Sequence, residues 1–333
     1  MLGYRCAPGL VGIPSTLVFL AARRGCATYD TKRVPYSGPW RRMTEHAATP
    51  DAPERTLIGY GEAMDRLRAD PRFADLIRDI YLGPDPVVEA RRFEQSAEWR
   101  ETRRVLGARV EGARVVDLGA GAGIASYAFV QAGAREVLAI EPWTGAAVGR
   151  DAINRLGLVS IVTVDARGEA MPIETGSVDI VYARQTLHHA GDLNQMLVEI
   201  ARVLRPGGVM FSCRDHVVDD ADQLAAFLAT HPVHQLAGGE HAYSLAAYLA
   251  AIRSAGLRVK TVLGPWDSVI NAFPHVRSQA ALKAEPRRRV VRRWGTAGRV
   301  MARIPGVKRL VRWQIGRERQ PGRPYSFVAT KNA

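Results

Sequence analysis

Cysteine is scarce in this chain. Cys6, Cys26 and Cys213 are its only three thiols in 333 residues, odd in number and far apart. That rules out a disulfide framework or a thiolate metal site and fits a reducing compartment. No apolar run reaches the length that crosses a bilayer. One short run, "LVGIPSTLVFLAA" (Leu10 to Ala22), follows Arg5 and precedes Arg23-Arg24. It reads either as the apolar part of a secretory signal or as a stretch ahead of a mistaken start codon, because "MTEHAATPDAPER" from Met43 is an ordinary polar N-terminus. Residues 1–56 are expected to be such a leader, or disordered. Acids are short as well, 33 against 46 basic residues, but the deficit is local. Arg277 to Arg323 holds 15 Lys and Arg against Glu285 and Glu318, whereas residues 1–276 carry 30 basic and 31 acidic groups. The sequence pI of about 10.1 therefore belongs to one segment and not to the body.

What is present is a change of rhythm. From Gly59 to Leu106 the apolar spacing is helical, broken at "GPDP" (83–86). Short Val- and Ile-rich runs then follow: "ARVVDLG" (113–119), "EVLAIEP" (136–142), "VSIVTVD" (159–165), "SVDIVYAR" (177–184) and "GGVMFSCRD" (207–215). They alternate with helical stretches such as Ala146 to Leu156 and Leu193 to Val203, the pattern of βα units around a buried parallel sheet. Beyond them come a helix, a loop with His and Gly, and a helix capped by Ser244 and closed by Gly256. "LRVKTVLGP" predicts a sixth strand and "YSFVATK" a seventh. Expected units are a helical lid over 57–107, an α/β core over 108–270, a basic helical insertion over 271–323 and a returning strand over 324–333.

"VVDLGAGAGIASYAFVQAG" (115–133) ends a strand in an acid, places glycines at every second position and then starts a helix. A dinucleotide fingerprint needs G-x-G-x-x-G. Here Gly119, Gly121 and Gly123 give G-x-G-x-G, and Ile124 falls where the third dinucleotide glycine would be. Asp117 would repel a pyrophosphate and attract an ammonium or sulfonium. Glu141, at the end of the next strand, has the offset of a carboxylate that accepts from ribose hydroxyls.

"VVDLGAGAG", "AIEP", "GEAMPIETGSVDIVYARQTLHH" and "EIARVLRPGG" together resemble the successive motifs of class I S-adenosylmethionine-dependent methyltransferases. They are most similar to the group that methylates small molecules, quinones and lipids. The resemblance covers about residues 105–215 and extends more weakly to the last two strands. It implies a Rossmann-like α/β sheet of seven strands in the order 3-2-1-4-5-7-6 and S-adenosylmethionine as cofactor. Asp117, Gly119, Ala120, Gly121 and Gly123 would then hold the methionine end, and Glu141 with Pro142 the ribose. An acid after the third strand would meet the adenine. Alignment on "VDA" makes it Asp165, followed by Ala166; alignment on Met171-Pro172 puts Arg167 and Gly168 there, and an arginine cannot accept from an amino group. Gln185, after the fourth strand, joins the cofactor set.

The acceptor is expected at the rim, with His216, His189 and Arg184 as candidate catalytic residues. His188-His189 also reads as a structural signature, and Arg184 as the partner of a nearby acid. Phe93 and Trp99 read as a lid or as core. His231, His234, Glu240 and His241 lack a helical register for a metal site, and no metal is expected. In the basic segment, Val290, Val291, Trp294, Ala297, Met301 and Ile304 recur at helical spacing with arginines opposite, and Val307, Leu310, Val311 and Ile315 resume the pattern after Pro305-Gly306. Residues 287–319 fit the surface of an anionic membrane, a polyanionic substrate, or packing on the body with solvated arginines. Nucleic acid is not an expected partner, since no base-stacking platform is recognisable. The whole reads as a cytoplasmic methyltransferase, peripheral at the inner membrane surface if that segment binds lipid. It would transfer a methyl group to an O or N of a small molecule, glycan or lipid-linked acceptor. The rivals are a silent cofactor-binding scaffold and an NAD(P)-dependent oxidoreductase.

Overall fold

The computed structural model describes residues 57–332, so the expectations for residues 1–56 lie outside it. Four helices lead in: α1 (Tyr60–Ala69), α2 (Ala74–Asp79), α3 (Pro86–Glu94) and α4 (Ala97–Leu106). The stretch after "GPDP", expected as continuous, divides at Ser96, whose hydroxyl accepts from the Trp99 amide at 3.0 Å and starts α4 anew. Then follow β1 (Arg114–Leu118), α5 (Ile124–Gln131), β2 (Glu136–Ile140), α6 (Arg150–Asn154), β3 (Ile161–Val164) and β4 (Val178–Arg184). Next come α7 (Leu193–Val203), β5 (Leu204–Val217), α8 (Ala221–Thr230), α9 (Pro232–Ala237), α10 (Leu245–Ser254) and β6 (Leu257–Leu263). The chain ends with α11 (Val269–Ala272), α12 (Gln279–Met301), α13 (Pro305–Ile315) and β7 (Arg323–Lys331).

The sheet order is β3-β2-β1-β4-β5-β7-β6, as expected. Strands β1 to β5 pair in parallel, and β7 is antiparallel to both β5 and β6. Burial on both faces explains the unbroken apolar runs. Val116, Leu118, Val181 and Ala183 pack toward α7 and α10, while Val115, Ile180, Tyr182 and Phe211 pack toward α3, α4 and α5. Phe93 and Trp99 are buried in that second face, on a run of ring contacts from Tyr81 through Phe129 to Phe211, so they are core and not lid.

Three places depart from the sequence pattern. The expected helix from 146 to 156 shortens to α6, and part of the expected His-containing loop folds as α9, with Pro232 at its first position. The basic segment forms α12 and α13, which pack on each other through Val290, Ala302, Val311 and Ile315. The break in α12 falls at Gly295, where φ is 53°.

Candidate active site

Most residues of interest sit at the carboxyl ends of β1 to β5, the end of an open α/β sheet where ligands collect. Gly119, Gly121 and Gly123 all have positive φ, but their surroundings differ. A Cβ on Gly119 would lie 2.6 Å from the Thr186 hydroxyl, and one on Gly123 would lie 2.8 Å from Leu156 Cδ1. These two glycines are required by packing. A Cβ on Gly121 would meet nothing within 4 Å, so the middle glycine keeps open a groove along the backbone. Ala120 is buried behind it. Helix α5 begins at Gly123 with no side-chain cap, which leaves the amides of its first turn facing the loop.

Two carboxylates flank the groove. Asp117 is 2 % exposed and accepts from the Ser126 hydroxyl at 2.6 Å. Burial pushes its carboxyl from an ordinary 3.8 up to about 6, against the pull of Ser126. Glu141 accepts from the Gly121 amide at 2.8 Å and the Trp143 amide at 3.0 Å, while burial raises its pKa. Pro142 and Ala166 are half-buried beside it, and Asp165 is exposed. Arg150 ties the two strand ends together, donating to the Glu141 carbonyl at 2.9 Å and pairing with Asp165 at 2.9 Å. Tyr60 of α1 stacks on Trp143 at 6.2 Å, and the charges of Glu141 and Glu240 add to burial in raising its pKa. The residues present fit S-adenosylmethionine: a side-chain-free groove, a buried acid beside it for a cationic end, and a second acid for ribose hydroxyls.

The rim is a buried network of histidines and acids. His188 Nδ1 donates to Asp215 at 3.0 Å, and the His188 backbone amide donates to the same oxygen at 3.2 Å. The Ser212 hydroxyl donates to the other Asp215 oxygen. On the far side His188 Nε2 lies 3.6 Å from Glu240, an ion-pair distance too long for a hydrogen bond. Burial disfavours the imidazolium, yet Asp215 and Glu240 outweigh it and raise His188 to about 9. Glu240 is correspondingly lowered to about 2 against its own burial. His189, His231 and His216 are all pushed below the usual histidine range by burial, helped by the cationic His188. His188, His189 and Glu240 are the one three-donor group among the described residues whose ligand atoms lie within 4.8 Å of each other. With His188 protonated, its charge is balanced by Asp215 and Glu240 without any further cation. His231, His234, Glu240 and His241 do not form such a group.

His216 differs. Its Nδ1 lies 2.8 Å from the Gly322 carbonyl. A carbonyl only accepts, so Nδ1 carries the proton and Nε2 keeps a free lone pair. His189 Nδ1 lies 3.4 Å from the Gly239 carbonyl, and its ring is 41 % exposed. Arg184 is held bidentately by the buried Glu98, at 2.7 and 3.2 Å, and lies over the Tyr81 and Phe93 rings. Burial opposes its charge, but Glu98 outweighs burial and raises its pKa. The expected pairing of Arg184 with an acid is present, and its guanidinium is committed there.

A cavity of about 260 Å³ brings together His216, Gln185, Arg214, Trp266, Phe273 and Pro321. Gln185 thus lines the space shared with His216. Two of its wall residues are strained, Gln185 at φ 54° and Arg214 at φ 61°. Arg214 lies where β5 slips register against β7, a bulge that re-aims its side chain. Glu98, Asp215, Arg214 and Arg150 were not singled out from sequence, and the first three act through partners distant in the chain.

The family model described as "Methyltransferase domain" matches residues 116–212. A ubiquinone biosynthesis O-methyltransferase of Xanthomonas oryzae is 34 % identical over 168 residues, which are 46 % of this chain and 68 % of that protein. A dimethylglycine N-methyltransferase of Parasynechococcus marenigrum is 41 % identical over 103 residues, 29 % of this chain and 36 % of that protein. A tRNA U34 carboxymethyltransferase of Methylococcus capsulatus is 36 % identical over 118 residues, 34 % of this chain and 36 % of that protein. The chain therefore spans about a third of two of these relatives and two thirds of the third. With the strand order, the glycine loop and its two acids in place, the chain belongs to the class I S-adenosylmethionine-dependent methyltransferases.

Proposed function

We propose that this enzyme methylates an oxygen or nitrogen of a small acceptor (a free small molecule, a glycan or a lipid-linked intermediate) with His216 as general base. The observation that carries this reading is the free Nε2 of His216, fixed by Gly322 in a cavity sized for a small molecule. Among the relatives, one is named for ubiquinone biosynthesis and one for dimethylglycine, which supports a small acceptor. Asp117, Gly119, Ala120, Gly121 and Gly123 would hold the methionine end of S-adenosylmethionine, Glu141 and Pro142 its ribose, and Asp165 and Ala166 its adenine. The cofactor supplies an activated methyl group on a sulfonium. His216 Nε2 takes the proton of the acceptor O–H or N–H as it attacks. Burial and the cationic His188 lower the pKa of His216, which keeps Nε2 unprotonated before the acceptor arrives. The same lowering makes it a weak base that takes the proton only as the methyl group is transferred. Gln185, expected in the cofactor set, lines the same cavity as His216 and would orient the acceptor there. Arg184 acts through Glu98, fixing the end of β4, and His189 closes the rim toward Glu240. The test is labelled-methyl transfer into a cell extract with wild-type and His216→Asn enzyme. A labelled small product that falls about 100-fold or more in the variant is expected. Label only in RNA or protein, or full transfer by His216→Asn, refutes it. Cofactor binding without transfer to any acceptor would favour the silent scaffold.

We also infer contact with an anionic membrane through residues 287–319. Trp294, Ile304, Leu310 and Trp313 are exposed among arginines, although Val311 and Ile315 on the same segment are buried. No helix among the described residues is long and apolar enough to cross a membrane. Sedimentation with phosphatidylglycerol vesicles at low salt should carry the protein down, and failure to do so removes this contact.

A further inference from the structure

The acceptor cavity does not stand alone. Trp266, His275 and Gln320 line it on one side and on the other line a larger open cavity of about 860 Å³. That second space is walled by α12 arginines. Arg289 there is neutralised by Glu285 and Glu318 and lies over the Trp266 ring at 4.6 Å. Arg288, Arg292 and Arg299 line the same space, and among the described residues none of them has a carboxylate partner. The wall therefore carries net positive charge toward a space that adjoins the inner cavity at Trp266, His275 and Gln320. Exposed arginines alone would be ordinary, but a second observation points the same way. Arg214 lines the inner cavity, is 8 % exposed and pairs with no carboxylate among the described residues. Its Nη1 donates to the Ile270 and Phe273 carbonyls, while Nε is buried without a partner. Glu98, the acid that the Arg214 charge feels most, is bonded to Arg184 instead. A buried guanidinium with no carboxylate bonded to it and an open Nε is unfavourable unless a ligand completes it. The strained backbone that holds it there, at φ 61°, is a further cost.

We propose that the acceptor carries a phosphate or diphosphate group, seated among Arg288, Arg292 and Arg299. Its reacting end then passes Trp266 and Arg214 to reach His216. This rests on the methyl-transfer reading above and names the class of its acceptor. Guanidinium groups grip phosphate oxygens through paired hydrogen bonds, and several arginines around one open space suit a group bearing more than one negative charge. The neighbouring wall of Trp266, Phe273, Pro265 and Pro321 is apolar and suits the uncharged body of such a molecule.

The experiment is calorimetric titration of inorganic pyrophosphate into the full chain at low salt. The Arg288→Gln/Arg292→Gln/Arg299→Gln variant should bind it at least about tenfold more weakly. An Arg303→Gln/Arg309→Gln/Arg312→Gln variant loses the same charge away from the cavity and should bind it as the wild type does. These side chains are exposed, so both variants should fold. Equal weakening in the two variants, or no binding by the wild type, overturns the proposal. Farnesyl diphosphate in a parallel titration separates the sources: tighter binding than pyrophosphate supports a lipid-borne group, and equal binding a soluble one. S-adenosylhomocysteine is titrated into all three proteins. If it fails to bind the wild type, the methyltransferase reading fails by itself, whatever pyrophosphate does.

Discussion

Replacing Asp117 with Asn should move stability and cofactor affinity in opposite directions. The carboxyl is held at about 6 by burial, against an ordinary 3.8 in the unfolded chain. A raised carboxylate pKa favours the protonated, folded form, so the cost is absent below pH 3.8 and grows to its full size above pH 6. At pH 7 it amounts to about 3 kcal/mol, an upper figure because part of it relaxes in a real denatured ensemble. Asn keeps an oxygen that can accept from Ser126 and removes the charge. The ligand-free variant should therefore be more stable than wild type at pH 7 and gain nothing at pH 4. Its affinity for S-adenosylmethionine should fall about tenfold or more, because the buried anion that attracts a cationic ligand is gone. Urea denaturation at the two pH values and calorimetry with S-adenosylmethionine measure both effects. A ligand-free variant less stable than wild type at pH 7 refutes the claim that the empty groove bears the burden of this charge. Unchanged affinity refutes its role toward the cofactor.

His188 should give a different pH signature. Its folded pKa is raised to about 9 from 6.5, so its contribution is fully present below pH 6.5 and is lost as pH rises through 9, about 3 kcal/mol in all. The lowering of Glu240 is the same coupling seen from its partner and is not added to it. Urea midpoints between pH 6.5 and 9.5 should fall steeply for wild type and stay nearly flat for His188→Gln; parallel curves would contradict the assignment. The glycine loop supplies a paired test. Gly119→Ala should cost about 2 kcal/mol or more, because its Cβ meets Thr186 and φ is positive, whereas Gly121→Ala should lose more cofactor affinity than stability. Equal stability losses in the two variants, with no difference in affinity, would remove the distinction between a packing glycine and a ligand-facing one.

What was legible in the sequence is what depends on near neighbours. Val- and Ile-rich runs predict β1 to β5 because a buried parallel strand needs nothing else to declare itself, and shorter apolar runs mark the antiparallel β6 and β7. The glycine loop is legible because its spacing and Asp117 lie within a few residues. The cap of α4 was readable too, at Ser96, but the charged positions after it kept the helical pattern going. The unread contacts are long-range. Glu98 meets Arg184 across 86 positions, and Asp215 meets His188 across 27. Each of those acids looks like an ordinary surface residue until the fold buries it. Arg214 is invisible for another reason: its inward aim comes from a bulge, and a bulge leaves no periodic mark.

Two adjacent imidazoles in one buried rim hold opposite protonation states, and the reason lies in what surrounds each. The His188 and His216 rings are 4.6 Å apart. Two cations at that distance would repel strongly in a site with little water. Asp215 and Glu240 settle which of them is charged, because both face His188 and the carbonyl of Gly322 faces His216. His188 takes the proton, and its charge then helps to keep His216 neutral with Nε2 free. Of the HH pair after β4, His188 is the member held between two carboxylates. His188 is then a buried cation whose charge bears on the protonation state of the neighbouring imidazole, His216. Moving the proton from His188 would be felt first at His216, which ties the unread Asp215 to one of the three residues expected from sequence to be catalytic.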